Sequence, residues 1–183
     1  MQNLATKFVV GVAVVAVVGM GYALVNQLIK ISTLQTLAHS EVSIDQALLV
    51  AQGAIDACKK DGATISVAVV DATGGIRYLV RGNGASEQDL EAARRKAYTA
   101  RTFRQATSDW IKRTDMDALD DKGNRIDLNG QRYLENTIAE AGGLPLIWHG
   151  EAIGGVGVKG AKDGTADEAC AQAGVDAIKN QLL

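Results

Sequence analysis

The apolar positions of this chain change period several times, and each change predicts an element. From Phe8 to Val25 the residues are apolar, glycine or tyrosine without a break, and Leu28 and Ile29 prolong the run. Such a length predicts a hydrophobic helix able to cross most of a hydrocarbon layer. Lys7 and the α-amino group precede it, which predicts a cytoplasmic N-terminus and export of the remaining chain. A retained membrane anchor over residues 8–29 and a cleaved signal peptide are both open, since Gly21-Tyr22-Ala23 offers a small-x-small site. Residues 1–30 are therefore assigned to the anchor or signal, 31–41 to a linker and 42–183 to a compact domain, placed in the periplasm or outside the cell, anchored or secreted.

Within that domain the period alternates between helical and extended. Ser43 and Gln46 have capping-box spacing, and Ile44, Ala47, Leu48, Ala51, Ile55 and Cys58 then share one helical stripe that stops at Gly62. Thr64 to Val70 is a β-branched run, Asp71 to Gly75 a turn and Ile76 to Arg81 the returning strand. Ser86 caps a second helix carrying Leu90, Ala93, Ala97 and Ala100. Thr107-Ser108-Asp109 interrupts it, and Trp110-Ile111 opens a shorter helical piece. Asp115 to Gly130 is a polar excursion, followed by a helical pattern over Gln131 to Ala141. Leu144 to Trp148 and Ala152 to Val158 form a second hairpin around His149-Gly150-Glu151. Thr165 and Glu168 have capping-box spacing and open a last helix reaching Leu182. Hairpins imply antiparallel pairing, so the expected fold is α+β: an antiparallel sheet flanked by helices, preceded by the N-terminal hydrophobic helix.

Composition narrows the function. The 183 residues carry 19 basic and 21 acidic side chains, a net charge of −2. That balance excludes broad nucleic-acid binding, which needs a basic excess. Two cysteines are too few for a disulfide-rich scaffold or a four-cysteine zinc site. Cys58 and Cys170 are either bridged, as an exported location permits, or two small buried hydrophobes.

The candidate chemistry is sparse. Gly155-Val156-Gly157-Val158-Lys159-Gly160 spells a dinucleotide fingerprint, but its glycines lie within a strand and no βαβ unit follows, which argues against nucleotide binding. Glycines inside a strand imply a bulge or the close approach of another backbone or of a ligand. His39 and His149 are isolated; each is a solvated polar residue or, more weakly, an axial iron ligand. A basic cluster centres on Arg94-Arg95-Lys96 and continues to Arg101. Guanidinium groups suit carboxylates, so the cluster is either an anion site or a solvated face paired with Glu87, Asp89 and Glu91.

Four ordered segments carry a resemblance. Ile65 to Asp71 with its Gly74-Gly75 turn, Lys96 to Ala100, Gly142 to Leu146 and Ile153 to Gly160 resemble the GlcG/HbpS haem-binding family, also called haem-degrading, to which the C-terminal domain of PduO-type proteins is related. The resemblance covers residues 42–183. It implies an antiparallel sheet flanked by helices, frequent homo-oligomers, and binding of haem or a related tetrapyrrole. By the same resemblance Thr99 is a candidate haem contact and weak iron ligand. A histidine in the first helix, as in some relatives, has no counterpart between Ile44 and Lys60.

On this reading Arg94, Arg95 and Lys96 hold haem propionates, while Gly143, Gly155 and Gly157 let a flat ring approach the backbone. His149 and Thr99 are the weak metal candidates. The alternatives are a membrane-tethered, oligomeric interaction subunit without cofactor, cued by the anchor and the glycine-rich surface, and a haem-degrading enzyme, for which no acid/base or nucleophile constellation is visible.

Overall fold

The structure, a computed structural model, describes residues 41–115, 119–124 and 129–181. The hydrophobic segment at 8–29, the linker with His39, and parts of the polar excursion lie outside the described residues. Among the described residues no helix is long and apolar enough to cross a membrane.

Helix α1 (Ile44–Lys60) starts as its sequence dictates: Ser43 Oγ accepts from the Gln46 amide at 3.2 Å, and Gln46 Oε1 accepts from the Ser43 amide at 3.0 Å. The inward face is narrower than the predicted stripe. Ala47, Val50, Ala51, Ala54 and Cys58 are buried, whereas Ile44 and Leu48 are 57% and 47% exposed. The reason lies in the partner helix, α4 (Gly164–Ala177). A Cβ on Gly174 would sit 2.4 Å from the Val50 carbonyl oxygen. Only small side chains fit where two helix backbones approach so closely, so the bulky residues turn outward.

Strands β1 (Ser66–Asp71) and β2 (Ile76–Val80) pair as an antiparallel hairpin. Asp71 builds its turn: Oδ1 accepts from the Thr73 amide at 2.8 Å, the Thr73 hydroxyl at 2.6 Å and the Gly75 amide at 3.0 Å. Strands β3 (Gly143–Trp148) and β4 (Glu151–Lys159) form the second hairpin. His149 and Gly150 have φ of 47° and 77°, the paired positive values of a two-residue turn whose twist matches the strands. β4 also pairs with β1, so the sheet order is β2-β1-β4-β3, antiparallel throughout.

The two faces differ in kind. Val67, Val69, Val156 and Val158 point with Leu144 and Leu146 into the larger core shared with α1 and α4. On the other face Ala68 and Val70 meet Ala93 and Ala97 of α2 (Glu87–Phe103). Alternation along each strand, two residues to a period, produces this division.

Four boundaries differ from expectation, the simplest being the last helix, expected to reach Leu182, which ends at Ala177 before a 3-10 turn at Lys179–Gln181. The break after α2 falls at Arg104, which is left-handed with φ 55°, and α3 (Thr107–Arg113) begins at Thr107. The threonine therefore starts a helix, and its Oγ accepts from the Gly143 amide at 2.9 Å. The pattern over Gln131–Ala141 yields only a 3-10 turn at Asn129–Tyr133 followed by irregular chain. Its polar groups are drawn into contacts with α2 instead. Finally, α4 is capped by Asp163, whose carboxylate accepts from the Ala166 amide at 2.8 Å. Glu168 does not close a box with Thr165, because its carboxylate accepts from the Ser108 hydroxyl at 2.7 Å.

The cysteines form a disulfide with 5.5 Å between Cα atoms across 112 residues of sequence. It joins the C-terminal part of α1 to α4 and contributes on the order of 2–4 kcal/mol, chiefly by restricting the unfolded chain.

The packing of α2 rests on missing side chains. A Cβ on Gly157 would lie 2.1 Å from the Ala93 carbonyl oxygen, and one on Gly155 2.4 Å from that of Ala97. Gly157→Ala should therefore destabilise the domain by about 3 kcal/mol, the upper range for overpacking. Gly130→Ala, where a Cβ meets nothing within 4 Å, should change stability by less than about 0.5 kcal/mol, as ordinary surface substitutions do. Chemical denaturation of both variants reads the difference.

Candidate functional site

The region singled out by the sequence is the basic stretch of α2 and the glycines of β3 and β4, and an irregular segment lies beside α2. Ser86 starts the helix: its Oγ accepts from the Asp89 amide at 3.1 Å, and Asp89 Oδ2 accepts from the Ser86 amide at 2.9 Å. Acidic residues in the first turn and Arg101 in the last suit the helix dipole. The helix then lies against β4 and β3 at the glycines, which fixes which of its side chains face inward.

Lys96 faces inward completely. It is fully buried, and its Nζ donates to Asp167 Oδ2 at 2.8 Å and to the Val158 carbonyl at 2.9 Å. Glu140 stands 3.9 Å away and pairs with Lys159 at 2.9 Å. Asp167 Oδ1 accepts from the Ala161 amide at 2.9 Å. Burial pushes the Lys96 ammonium below its ordinary value, opposed by the hydrogen bond and charge of Asp167. The hydrogen bond to Glu140 holds the Lys159 ammonium above its ordinary value, against some burial. Lys96 therefore does not face a propionate on the surface; it ties α2 to β4 and to the first turn of α4.

Gly143, Gly155 and Gly157 are also committed internally. The space above them holds helix backbone, with the Lys96 carbonyl oxygen 2.4 Å from a Cβ on Gly143. No flat ring can approach the strand there while α2 is in place. The close approach predicted for these glycines is real, and the approaching group is the protein's own helix.

Arg94 and Arg95 lie at the surface edge and are half-buried. Arg94 donates to Glu91 through Nε at 2.8 Å and Nη2 at 2.7 Å, and its Nη2 also reaches Asn136 Oδ1 at 2.8 Å. This fork lowers the Glu91 pKa and raises that of Arg94. Arg95 donates to the Thr137 carbonyl. Thr99 is fully buried between them and the segment: its Oγ donates to the Arg95 carbonyl at 2.8 Å and accepts from the Ile138 amide at 3.0 Å. A ligand reaches that hydroxyl only if Ile138 moves.

Sequence reading left Tyr98, Asn136 and Thr137 out of the site and named Arg101 only as the end of the basic cluster. Tyr98, half-buried, packs on the β1–β2 turn, where a Cβ on Gly74 would be 2.7 Å from its ring. Arg101 is half-buried, and its Nε makes no hydrogen bond among the described residues. Arg94, Tyr98 and Arg101 lie at i, i+4 and i+7, one helix face, and this spacing was legible in the sequence. Asn136 and Thr137 were not, because nothing in an irregular segment announces its partners. His149 is exposed at the β3–β4 turn, whose Gly150 carbonyl accepts from Arg104 at the end of α2, and its ring lies 4.1 Å from that of Trp148.

The described residues fit part of a haem. Half-buried guanidinium groups beside a tyrosine ring suit its anionic carboxylates and flat face. Thr99, one of the two weak iron-ligand candidates, is covered, and His149, the other, is exposed at the β3–β4 turn. Among the described residues no group of three or more histidine, cysteine, aspartate or glutamate side chains is placed to hold a metal ion.

The family model described as haem degrading protein HbpS-like matches residues 42–176. The chain belongs to the HbpS-like family. HbpS, in one crystal structure and in that of a Streptomyces reticuli HbpS double mutant, is 34% identical with a TM-score of 0.66. The mutant's alignment covers 74% of this chain and 86% of that one. The haem complex of PduOC is 24% identical with a TM-score of 0.66 over 75% of this chain and 95% of that one. The Klebsiella pneumoniae protein ORFY is 22% identical with a TM-score of 0.65, covering 75% and 90% respectively. These last two share the fold. No curated protein matches the chain.

The internal ion pair generates a test. Lys96→Met leaves a buried carboxylate without its cation and should cost about 3–5 kcal/mol. Adding Asp167→Asn removes that charge while retaining an acceptor for the Ala161 amide, so the double variant should be more stable than Lys96→Met alone. Urea unfolding of the two variants checks the order; a smaller loss in the single variant would show that the pair does not hold the helix.

Proposed function

We propose that the domain binds haem or a closely related tetrapyrrole on the outer surface of α2, outside the cytoplasm. The single observation that carries this reading is membership of the HbpS-like family together with the half-buried Arg94, Arg95 and Arg101 around Tyr98. The ring lies against Tyr98 and the neighbouring helix surface. Its carboxylates take the guanidinium groups of Arg94 and Arg95 in place of Asn136 and the Thr137 carbonyl. Thr99 becomes a contact when the Asn136–Ile138 stretch gives way, and Lys96 supports the helix from within. The haem seen in the PduOC complex belongs to a relative of the same fold and supports the choice of ligand class.

Export is part of the proposal. It is supported by the uncharged run from Phe8 to Val25 and by the Cys58–Cys170 disulfide, since such bonds persist in oxidising compartments. Self-association is supported by the exposed Ile44 and Leu48 on α1.

The family's haem-degrading description favours a second reading, in which bound haem is consumed. Steady loss of haem absorbance with reductant and oxygen, beyond a haem-only control, separates it from simple binding.

Haem titration followed by absorption spectroscopy tests the principal reading. A saturable shift of the Soret band is expected, and Arg95→Ala should weaken it about tenfold, the loss of one charge-assisted hydrogen bond. His149→Ala should leave it unchanged. If His149→Ala abolishes the shift, the site lies at the β3–β4 turn. Absence of any saturable shift favours the tethered subunit without cofactor.

A further inference from the structure

The disulfide is not enclosed equally on both sides. A pocket of about 340 Å³ opens between the C-terminal end of α1 and the first turns of α4. Cys170 lines it beside Ala166 and Ala169, and Lys162, Asp61 and Asp163 are among its other lining residues. Cys58 does not line it, and the two cysteines, Cys58 and Cys170, are 1% and 5% exposed. The two helices are also held together without the bond, because a Cβ on Gly53 would already be 3.0 Å from the Ala173 carbonyl oxygen. The pocket thus brings a small molecule to the Cys170 side of the bond, and the helix pair has backbone packing besides the bond.

We infer that this pocket is a thiol-exchange site, at which a small zwitterionic thiol of the glutathione class attacks Cys170 in the folded domain. The thiolate forms a bond to Cys170 Sγ while the Cys58–Cys170 bond breaks, and Cys58 leaves as a thiolate and takes a proton. A second thiolate then attacks the sulfur of the bound thiol. The balance is one protein disulfide reduced to two cysteines, and two small thiols oxidised to one disulfide. Exchange follows access to the sulfur attacked, and the pocket gives that access at Cys170. Lys162 faces the carboxylates of the thiol, and Asp61 and Asp163 its ammonium. Cys170 is then a site of reversible thiolation, and the cross-link between α1 and α4 responds to the thiol balance of the compartment.

The test uses the full chain, oxidised and folded, incubated with glutathione, quenched in acid and mapped by mass spectrometry. The expected adduct is on the Cys170 peptide, with Cys58 free. Ala169→Leu fills the pocket at an exposed helix position and should slow exchange about tenfold by restricting access, with the circular dichroism spectrum unchanged. Lys162→Glu should slow glutathione more than uncharged 2-mercaptoethanol. An adduct on Cys58, or a rate that ignores Ala169→Leu and follows denaturant-induced unfolding, would overturn the site. Equal slowing of both thiols by Lys162→Glu would overturn the assignment of a charged thiol.

Discussion

The structure depends on one contact between backbones: α2 lies directly on β4 because Gly155 and Gly157 have no side chains to keep it away. A Cβ at either would fall within 2.4 Å of a helix carbonyl oxygen, well inside any van der Waals distance. That seam determines the rest of the face. With α2 so low, Lys96 has no route to solvent, and its ammonium is buried. Burying a charge is costly unless it is paired and hydrogen-bonded. Asp167 and the Val158 carbonyl meet that requirement. Because Asp167 sits at the start of α4 and also accepts from the Ala161 amide, the pair joins α2, β4 and α4. On the outer side of α2 stand arginines and a tyrosine, with Thr99 buried under Ile138.

The opposite face is built by a different rule. There valines from β1 and β4 make an apolar core, the region that hydrophobic burial stabilises most. The helices covering it meet through alanine and glycine, and a disulfide joins them. One face is thus fixed by close packing and covalent linkage, and the other by a glycine seam and an internal ion pair. The second face carries the surface proposed for tetrapyrrole.

Much of this order was legible in the sequence. The capping box at Ser43, the cap at Ser86, the Asp71 turn and both hairpins follow local chemistry, and local chemistry is what a sequence displays. The strands of both hairpins lie within two residues of where their patterns put them. What escaped depends on distant partners. Lys96 looked like one more cation in a basic run; only the glycines of a strand 60 residues later make it internal. Gly155 and Gly157 announced a close approach, but not whether a ligand or a helix makes it. Ile44 and Leu48 matched the helical period yet face outward, because the partner helix admits only small residues at the seam. The Gln131–Ala141 segment failed as a helix because Asn136, Thr137 and Ile138 spend their polar groups on Arg94, Arg95 and Thr99.

The central functional claim is that a tetrapyrrole meets the domain between α2 and that segment. Backbone amide spectra of the labelled chain, recorded by NMR with and without a diamagnetic haem analogue such as zinc protoporphyrin, test it most directly. The account predicts saturable changes confined to Arg94–Arg101 and Asn136–Ile138, with the Ile138 amide losing its shift as its bond to Thr99 is broken. Changes centred on Trp148–Gly150, or none at Ile138, would contradict it.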